Sequence, residues 1–364
     1  MGENVQIRSV YLKGFRNYKE LSLKPFGGAN LIVGGNADGK TNLLEALYFC
    51  LCGYSFRTAR EEEVIRTGED RAVLRALVEK VEFNKETAVE ISGRGKKLTV
   101  NAKEASRRDF PGYLGTLLFR PEDLEIGVGS PGERRRFFDG IFAGILPGYY
   151  SAYRKYIRTL NHRNALLRRL RGCDRVTAEV RAWTEAVAET GSVVNILRLQ
   201  ALSLLAPVVT SCYQAIADAK LSIRYVSSVG LAESVSSLRE RFLSKLLLIE
   251  RAELQCGQTL VGPHRDDFCF VVDGRDLRRQ GSRGEQRTAV LAAKLAEARM
   301  LEERRNDRIV YLLDDVFSEL DPRRRAALAS ALQGRQVFVT ATEPVTELRG
   351  YSWWIKSGTV TNRG

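Results

Sequence analysis

The chain has 364 residues, 44% hydrophobic and 28% charged, with 57 Lys and Arg against 44 Asp and Glu and a formal net charge of +13. That length suits two lobes or one large domain and buries a core without disulfides or a structural metal, and the composition excludes wholesale disorder. A pI near 9.6 favours a polyanionic partner, nucleic acid or an acidic membrane surface, over a neutral small molecule alone.

In chain order, Val5 to Leu12 alternates as a strand, and Asn30 to Val33 is a short buried strand running into glycines. Leu43 to Cys52 follows as a mostly apolar helix. Ala72 to Val81, Thr87 to Ser92 and Lys97 to Asn101 predict an antiparallel meander with turns at Asn84-Lys85 and Gly93 to Gly95, and Thr116 to Phe119 is a further strand. From Gly132 to about Ala219 strand signals vanish. Tyr149, Tyr153, Tyr156 and Leu160 share a helical face, and Trp183, Val187 and Val194 carry a helical pattern to Leu204, ahead of Pro207. This stretch reads as a helical insertion. Strands return at Leu221 to Val226 and Phe268 to Val272, the latter turning at Asp273-Gly274. A helix from about Gly284 to Arg305, the apolar strand Ile309 to Leu313, a helix over Arg323 to Leu332, the strand Gln336 to Thr340 and a hairpin turning at Ser357-Gly358 complete an α/β pattern.

Six scattered cysteines without a CxxC pair, and only two histidines, His162 and His264, exclude zinc-finger spacing and read as reduced thiols of a cytosolic protein. Met1 to Phe15 lacks the apolar segment of an export signal, and Gln6 stands where N-myristoylation wants Ser or Thr. No window approaches 18 uninterrupted apolar residues, so no membrane partner is expected.

Gly34, Gly35, Asn36, Ala37, Asp38, Gly39, Lys40 and Thr41 fit G-x-x-x-x-G-K-[ST] between a strand and a helix, the context a phosphate-binding loop requires. The glycines let backbone N–H groups turn inward around phosphate oxygens, the helix N-terminus adds positive potential, Lys40 reaches the β- and γ-phosphates, and the Thr41 hydroxyl ligates Mg²⁺. With Asn42 these are the expected ATP contacts. The partner element is Ile309 to Asp315, an apolar strand ending in two carboxylates. Asp314 is expected on the metal with Thr41, and Asp315 as general base or water-positioner, so Lys40, Asp314 and Asp315 form the expected catalytic set. Residues 42–308 separate the two motifs, far more than in a compact P-loop enzyme, so something large is inserted.

Between Tyr150 and Arg175 lie Arg154, Lys155, Arg158, Arg163, Arg168, Arg169, Arg171 and Arg175 against one acid, Asp174. Arg154 and Arg158 share one helical face, and Arg168, Arg171 and Arg175 another. Such a stripe pairs with DNA phosphates without reading sequence, or is a solvated face. The candidate DNA contacts are Arg154, Lys155, Arg158, Arg168, Arg171 and Arg175. Arg134 to Arg136 and Arg323 to Arg325 are weaker candidates, with acids of their own lobe as alternative partners.

Further segments carry a family resemblance. Ser282 to Arg287 (SRGEQR) resembles the signature motif of ABC-type ATPases, and Ser318 to Asp321 (SELD) their D-loop. Leu12 to Tyr18 (LKGFRNY), Pro121 to Leu124 (PEDL), Gly132 to Asp139 (GERRRFFD), Leu160 to Leu167 (LNHRNALL), Gly262 to Asp267 (GPHRDD) and Asp314 to Asp321 (DDVFSELD) are similar, in order, to the RecF family. The resemblance implies an ABC/SMC-like P-loop ATPase head with a helical second lobe and no long coiled coil. Residues 1–118 and 300–364 would form the ATPase lobe and 119–299 the second lobe, holding the basic insertion of about 132–219 and the signature at 282–287. It further implies a homodimer formed on ATP, each nucleotide held by Lys40 of one copy and, in trans, by Ser282 and Gly284 of the other. The implied function is ATP-gated binding of double-stranded DNA near single-strand gaps, helping to load RecA with RecR and RecO, in the cytoplasm at the nucleoid. An SMC-like DNA tether with negligible hydrolysis is the alternative. A transporter's nucleotide-binding subunit and a small-molecule kinase fit less well, given the long insertion and the basic stripe.

The residues also leave alternatives open. Ser282 serves equally as a plain helix N-cap. After Thr340 come Ala341 and Thr342 where transporter-type ATPases place a switch histidine, so slow turnover is expected. Glu122 or Asp123 stands for the glutamine loop, or merely starts a helix. Arg57 resembles the arginine by which SMC heads couple DNA to ATP, which would add it to the candidate DNA contacts, or pairs with Glu61 to Glu63. Arg16 is placed near the nucleotide in the same spirit.

Overall fold

The computed structural model describes residues 5–80, 83–106, 115–172 and 176–363. They form two compact units, 1–122 with 301–364 and 123–300, so the chain leaves the first unit, builds the second and returns.

The first unit holds two six-stranded sheets. One is antiparallel: β1 (Gln6–Phe15), β2 (Tyr18–Leu23), β4 (Arg71–Lys80), β5 (Phe83–Ser92), β6 (Gly95–Val100) and β7 (Lys103–Glu104), in the order β2-β1-β4-β5-β6-β7. The other combines β3 (Ala29–Val33), β8 (Thr116–Phe119), β12 (Val310–Asp314), β13 (Val337–Ala341), β14 (Gly350–Lys356) and β15 (Thr359–Arg363), in the order β15-β14-β3-β13-β12-β8. All its pairs are parallel except β14 with β15. Every residue of β3, β12 and β13 is buried, as parallel strands covered on both faces require. The cover on one face is α1 (Lys40–Cys52), whose Leu43, Leu47 and Phe49 join a core with Leu12 and Leu74 of one sheet and Leu312 and Phe338 of the other. A helix touching both sheets must be apolar nearly all round, which is why Leu43 to Cys52 lacks a polar stripe.

The second unit is mainly helical. After α2 (Pro121–Leu124) come α3 (Pro131–Ile145), α4 (Tyr149–Arg169), α5 (Ala178–Gln214), α6 (Val235–Leu248) and α7 (Glu250–Cys256). A small antiparallel sheet of β9 (Leu221–Val226), β10 (Asp267–Val272) and β11 (Arg275–Asp276) has the order β11-β10-β9. Then α8 (Leu277–Gln280) leads into α9 (Arg283–Arg305), which runs back into the first unit. No long coiled coil occurs among the described residues; the longest helix is α5, at 37 residues.

Three expectations need correction. Asn84 and Lys85 lie inside β5, opposite Glu79 and Val78, because a polar pair near the start of a strand does not by itself make a turn. The strand β2 was not anticipated; its polar alternation hides its pairing with β1 around Arg16, whose φ is +50°. Finally, α5 does not stop before Pro207 but continues through it to Gln214. Proline costs that turn a hydrogen bond, and buried Val209, Cys212 and Tyr213 hold the remainder in place.

By length and composition α5 is the one helix among the described residues apolar enough to cross a membrane, a property the search for uninterrupted apolar runs missed because Ser, Asn and Arg interrupt it. It packs against α4, α6 and β9. At its middle, fully buried Arg198 donates Nε and Nη2 to the Asp139 carboxylate at 3.0 and 2.9 Å and Nη1 to the Pro263 carbonyl at 2.8 Å. That is the packing of a core helix.

Candidate functional site

The phosphate loop leaves the C-terminal end of β3 and enters α1. Ala37 and Gly39 take left-handed backbone, φ +67° and +111°, and α1 begins at Gly39 without a side-chain cap. Its first helical bond runs from Leu43 N–H to the Gly39 carbonyl, so the N–H groups of Lys40, Thr41 and Asn42 have no helical partner. These free donors at a positive helix end form an anion site. Lys40, only 7% exposed, folds its ammonium back onto the Gly34 and Gly35 carbonyls at 3.0 and 2.8 Å.

Parallel pairing brings the acids to the same end. The Thr41 hydroxyl donates to Asp314 Oδ1 at 2.9 Å, and Thr340, opposite Asp314 on β13, donates to the same oxygen at 2.7 Å. Asp315 sits just past β12 in left-handed backbone, φ +51°, held there by its N–H bonding Thr340 Oγ1 at 2.8 Å and by Ser318 Oγ donating to its carbonyl at 2.6 Å. Its Oδ1 is buried without a hydrogen-bond partner. Burial raises the Asp315 pKa above its ordinary 3.8, the nearby Asp314 adding to this and Lys40 opposing it. An orphaned carboxylate oxygen is costly unless something polar is meant to meet it. Among the described residues no cluster of three or more His, Cys, Asp or Glu is placed to hold a metal alone. A divalent ion between Thr41 and Asp314 would therefore complete its shell with phosphate oxygens and water, the usual manner of Mg²⁺.

Thr340 escaped the sequence reading, which looked to Thr342 instead. Glu45 escaped it too. It is fully buried on α1, and its carboxylate accepts from Arg16 Nε and Nη2 at 2.9 and 2.7 Å and from Ser55 Oγ at 2.5 Å. Arg57 does not pair with Glu61 to Glu63. Its Nη1 donates to Asn42 Oδ1 at 2.7 Å and lies 3.4 Å from Glu45, because a buried carboxylate is the stronger attractor. Asn42 in turn donates to Asn17, and Asn17 to the Asp38 carbonyl, both at 2.9 Å.

In the second unit, Ser282 caps α9: Glu285 N–H donates to Ser282 Oγ at 3.2 Å, and Ser282 N–H returns to Glu285 Oε2 at 2.8 Å. The plain-cap reading is thus realised here, with Gly284 in the first turn of the helix. Arg154, Lys155, Arg158, Arg168 and Arg171 are exposed on or just beyond α4, while Arg175 lies outside the described residues. Arg163, counted in the same basic run, is internal. Fully buried, it donates to Glu253 at 2.6 Å, Thr259 at 2.7 Å and Thr184 at 3.0 Å. Arg134 is likewise internal, paired with Asp267 at 2.7 Å. The GPHRDD segment is structural: Asp266 accepts from Tyr225 OH and from Ser228 N–H and Oγ, and His264 Nδ1 lies 2.6 Å from Tyr156 OH.

Comparison with known proteins agrees with this architecture. Residues 6–348 match the RecF/RecN/SMC N-terminal domain family. The chain is 39% identical over 344 residues to the DNA replication and repair protein RecF of Halalkalibacterium halodurans, covering 93% of each. It is 37% identical over 347 residues to that of Desulforudis audaxviator, covering 94% of this chain and 95% of the relative. Among solved structures, the recombination mediator protein RecF-ATPrS of the RecFOR pathway superposes over 100% of both chains with a TM-score of 0.91 at 32% identity. Its RecF-ATP counterpart covers 100% and 99% with a TM-score of 0.89 at 32% identity. An SMC head bound to the C-winged helix domain of ScpA shares the fold alone, with a TM-score of 0.56 and 15% identity over 97% and 95% of the two chains. The chain belongs to the RecF family and has its ABC/SMC-type ATPase head fold.

Proposed function

We propose that this protein is an ATP-gated DNA clamp of recombinational gap repair that hydrolyses ATP slowly and dimerises on it. The observation that carries the reading is the convergence of Lys40, Thr41, Asp314 and Asp315 around free helix N–H groups, with Asp315 Oδ1 buried and unpaired. On binding ATP, Lys40 exchanges the Gly34 and Gly35 carbonyls for the β- and γ-phosphates, while the loop amides cradle them. Thr41 and Asp314 hold Mg²⁺, which when bound neutralises charge developing on the phosphates. Asp315 Oδ1 orients the attacking water and takes its proton as oxygen bonds to the γ-phosphorus and the bond to ADP breaks, leaving ADP and phosphate.

In this reading a second copy supplies Ser282 and Gly284 to the nucleotide, and Ser282 trades its Glu285 partner for phosphate oxygen. Double-stranded and gapped DNA lies on Arg154, Lys155, Arg158, Arg168 and Arg171, bound through phosphates and without sequence preference. The reading includes work with RecR and RecO in loading RecA, in a cytoplasmic, nucleoid-associated setting; what supports it is likeness to relatives named for DNA replication and repair and for the RecFOR pathway. Slow turnover fits a site where the Thr340 hydroxyl is already committed to Asp314 and Ala341-Thr342 follow where a switch histidine would stand.

The test is Asp315→Asn. The proposal expects turnover to fall about a hundredfold or more and a dimer with intact ATP to accumulate on DNA, seen by sizing and nucleotide extraction. Unchanged turnover with no dimer accumulation would exclude the clamp. A wild type that binds ATP and DNA yet shows no turnover above background would favour the tether.

A further inference from the structure

The hairpin that ends the described chain meets the phosphate loop at several points. β14 runs beside β3, with Trp354 opposite Val33, and extends over the first loop glycine. A side chain at Gly34 would stand 2.4 Å from the Ile355 carbonyl oxygen. The turn itself, Ser357-Gly358, has both residues in left-handed backbone, φ +47° and +76°, as a tight two-residue hairpin requires. That geometry aims two amides at one loop residue. Ser357 N–H donates to Asp38 Oδ1 at 3.0 Å, and Gly358 N–H to the Asp38 carbonyl at 3.0 Å. The second carboxylate oxygen of Asp38 accepts the Gly35 N–H at 2.7 Å, closing the loop upon itself, and Asn17 donates to the Asp38 carbonyl from the other side.

A carboxylate in an anion-binding loop is costly unless its charge is spent elsewhere. Here both oxygens are turned outward, to a hairpin amide and to an amide of the loop's own entry, and the helix-end donors are left free. The Ser357 amide is the largest reason that the Asp38 carboxyl stays below its ordinary pKa, followed by the Gly35 amide.

We infer that Asp38 is a positioning residue that straps the terminal hairpin to the phosphate loop, so that ATP affinity depends on the seating of the Ser357-Gly358 turn. This rests on the proposal that the loop binds ATP. The strap is also addressable from the hairpin side: a methyl at Gly358 would stand 2.6 Å from the Asn17 carbonyl oxygen and 3.3 Å from Asn17 Nδ2, lifting the turn away from Asp38 without altering a loop residue.

The experiment is a double-mutant cycle of Asp38→Ala and Gly358→Ala, read by equilibrium binding of ATP to the full chain. Each single variant is expected to weaken ATP about tenfold, and the pair to be no weaker than either alone, the non-additivity of two residues sharing one interaction. Gly358→Ala should raise KM for ATP by the same factor while kcat at saturating ATP stays within about twofold, since it removes binding rather than chemistry. Additive losses, unchanged affinity in Gly358→Ala, or tighter binding in Asp38→Ala would overturn the inference. Amide hydrogen exchange in the nucleotide-free protein separates this from the ATP reading. If wild type binds no ATP, the proposed function falls. The strap is then judged by the Ser357 and Gly35 amides: protection in wild type that is lost in Asp38→Ala upholds it, and no protection in wild type refutes it.

Discussion

Two clusters of charge in this molecule are built in opposite ways. In the helical unit, Arg198 and Arg163 are wholly buried, and each is met by carboxylate, hydroxyl or carbonyl oxygens. Every nitrogen of both guanidinium groups is met. At the strand ends of the sheet unit, helix N–H groups are uncapped, Lys40 rests on two carbonyls, and Asp315 Oδ1 is buried with no partner. Complete satisfaction marks a group whose task is to hold the fold, and the unfinished cluster is where a ligand completes the bonding.

Substitutions should therefore separate stability from turnover. The largest effect is expected from Arg198→Met, which leaves the buried carboxylates of Asp139 and Asp266 without their cation at a cost of about 3–5 kcal/mol. Denaturant titration should show the loss, and a midpoint near wild type would contradict the comparison. Lys40→Ala should do the reverse, lowering ATP turnover by about a thousandfold, near 4 kcal/mol, while the denaturation midpoint hardly moves. The next effect is acid sensitivity of the helical unit. Burial, aided by the nearby Arg265, Arg135 and Arg198, lowers the His264 pKa from 6.5 to about 4. The unfolded chain then binds the proton first, so stability is full above pH 6.5 and falls as pH drops toward 4, by about 3 kcal/mol at most. His264→Gln should flatten that slope, and an unchanged slope would move the acid sensitivity to another group. The smallest effect is expected from Thr340→Val, which frees Asp314 and the Asp315 amide of one hydroxyl and should lower kcat about tenfold. Because burial raises the Asp315 pKa in the nucleotide-free protein, kcat/KM for ATP should begin to decline on the acid side above pH 3.8, the ordinary aspartate value.

The phosphate loop and the Asp-Asp strand were legible because their chemistry is local: spacing alone puts Lys40 and Thr41 at a helix start and Asp314 at a strand end. Thr340 was not, since only the register of β13 against β12 brings it to Asp314. Glu45 left one sign, a lone carboxylate in an apolar helix, which must find cations if buried. Arg163 was counted in the basic run without being given a face, although it shares the helical face of Tyr156, Leu160 and Leu167 and so belonged to the core by periodicity. The Asp38 strap was invisible, because it depends on where β14 lies beside β3.

ATP turnover per protomer, measured over rising protein concentration with and without double-stranded DNA, tests the shared site most directly. The account predicts that specific activity rises with concentration and that DNA lifts it further. Specific activity that stays flat with concentration and indifferent to DNA would contradict a nucleotide held between two copies and coupled to DNA.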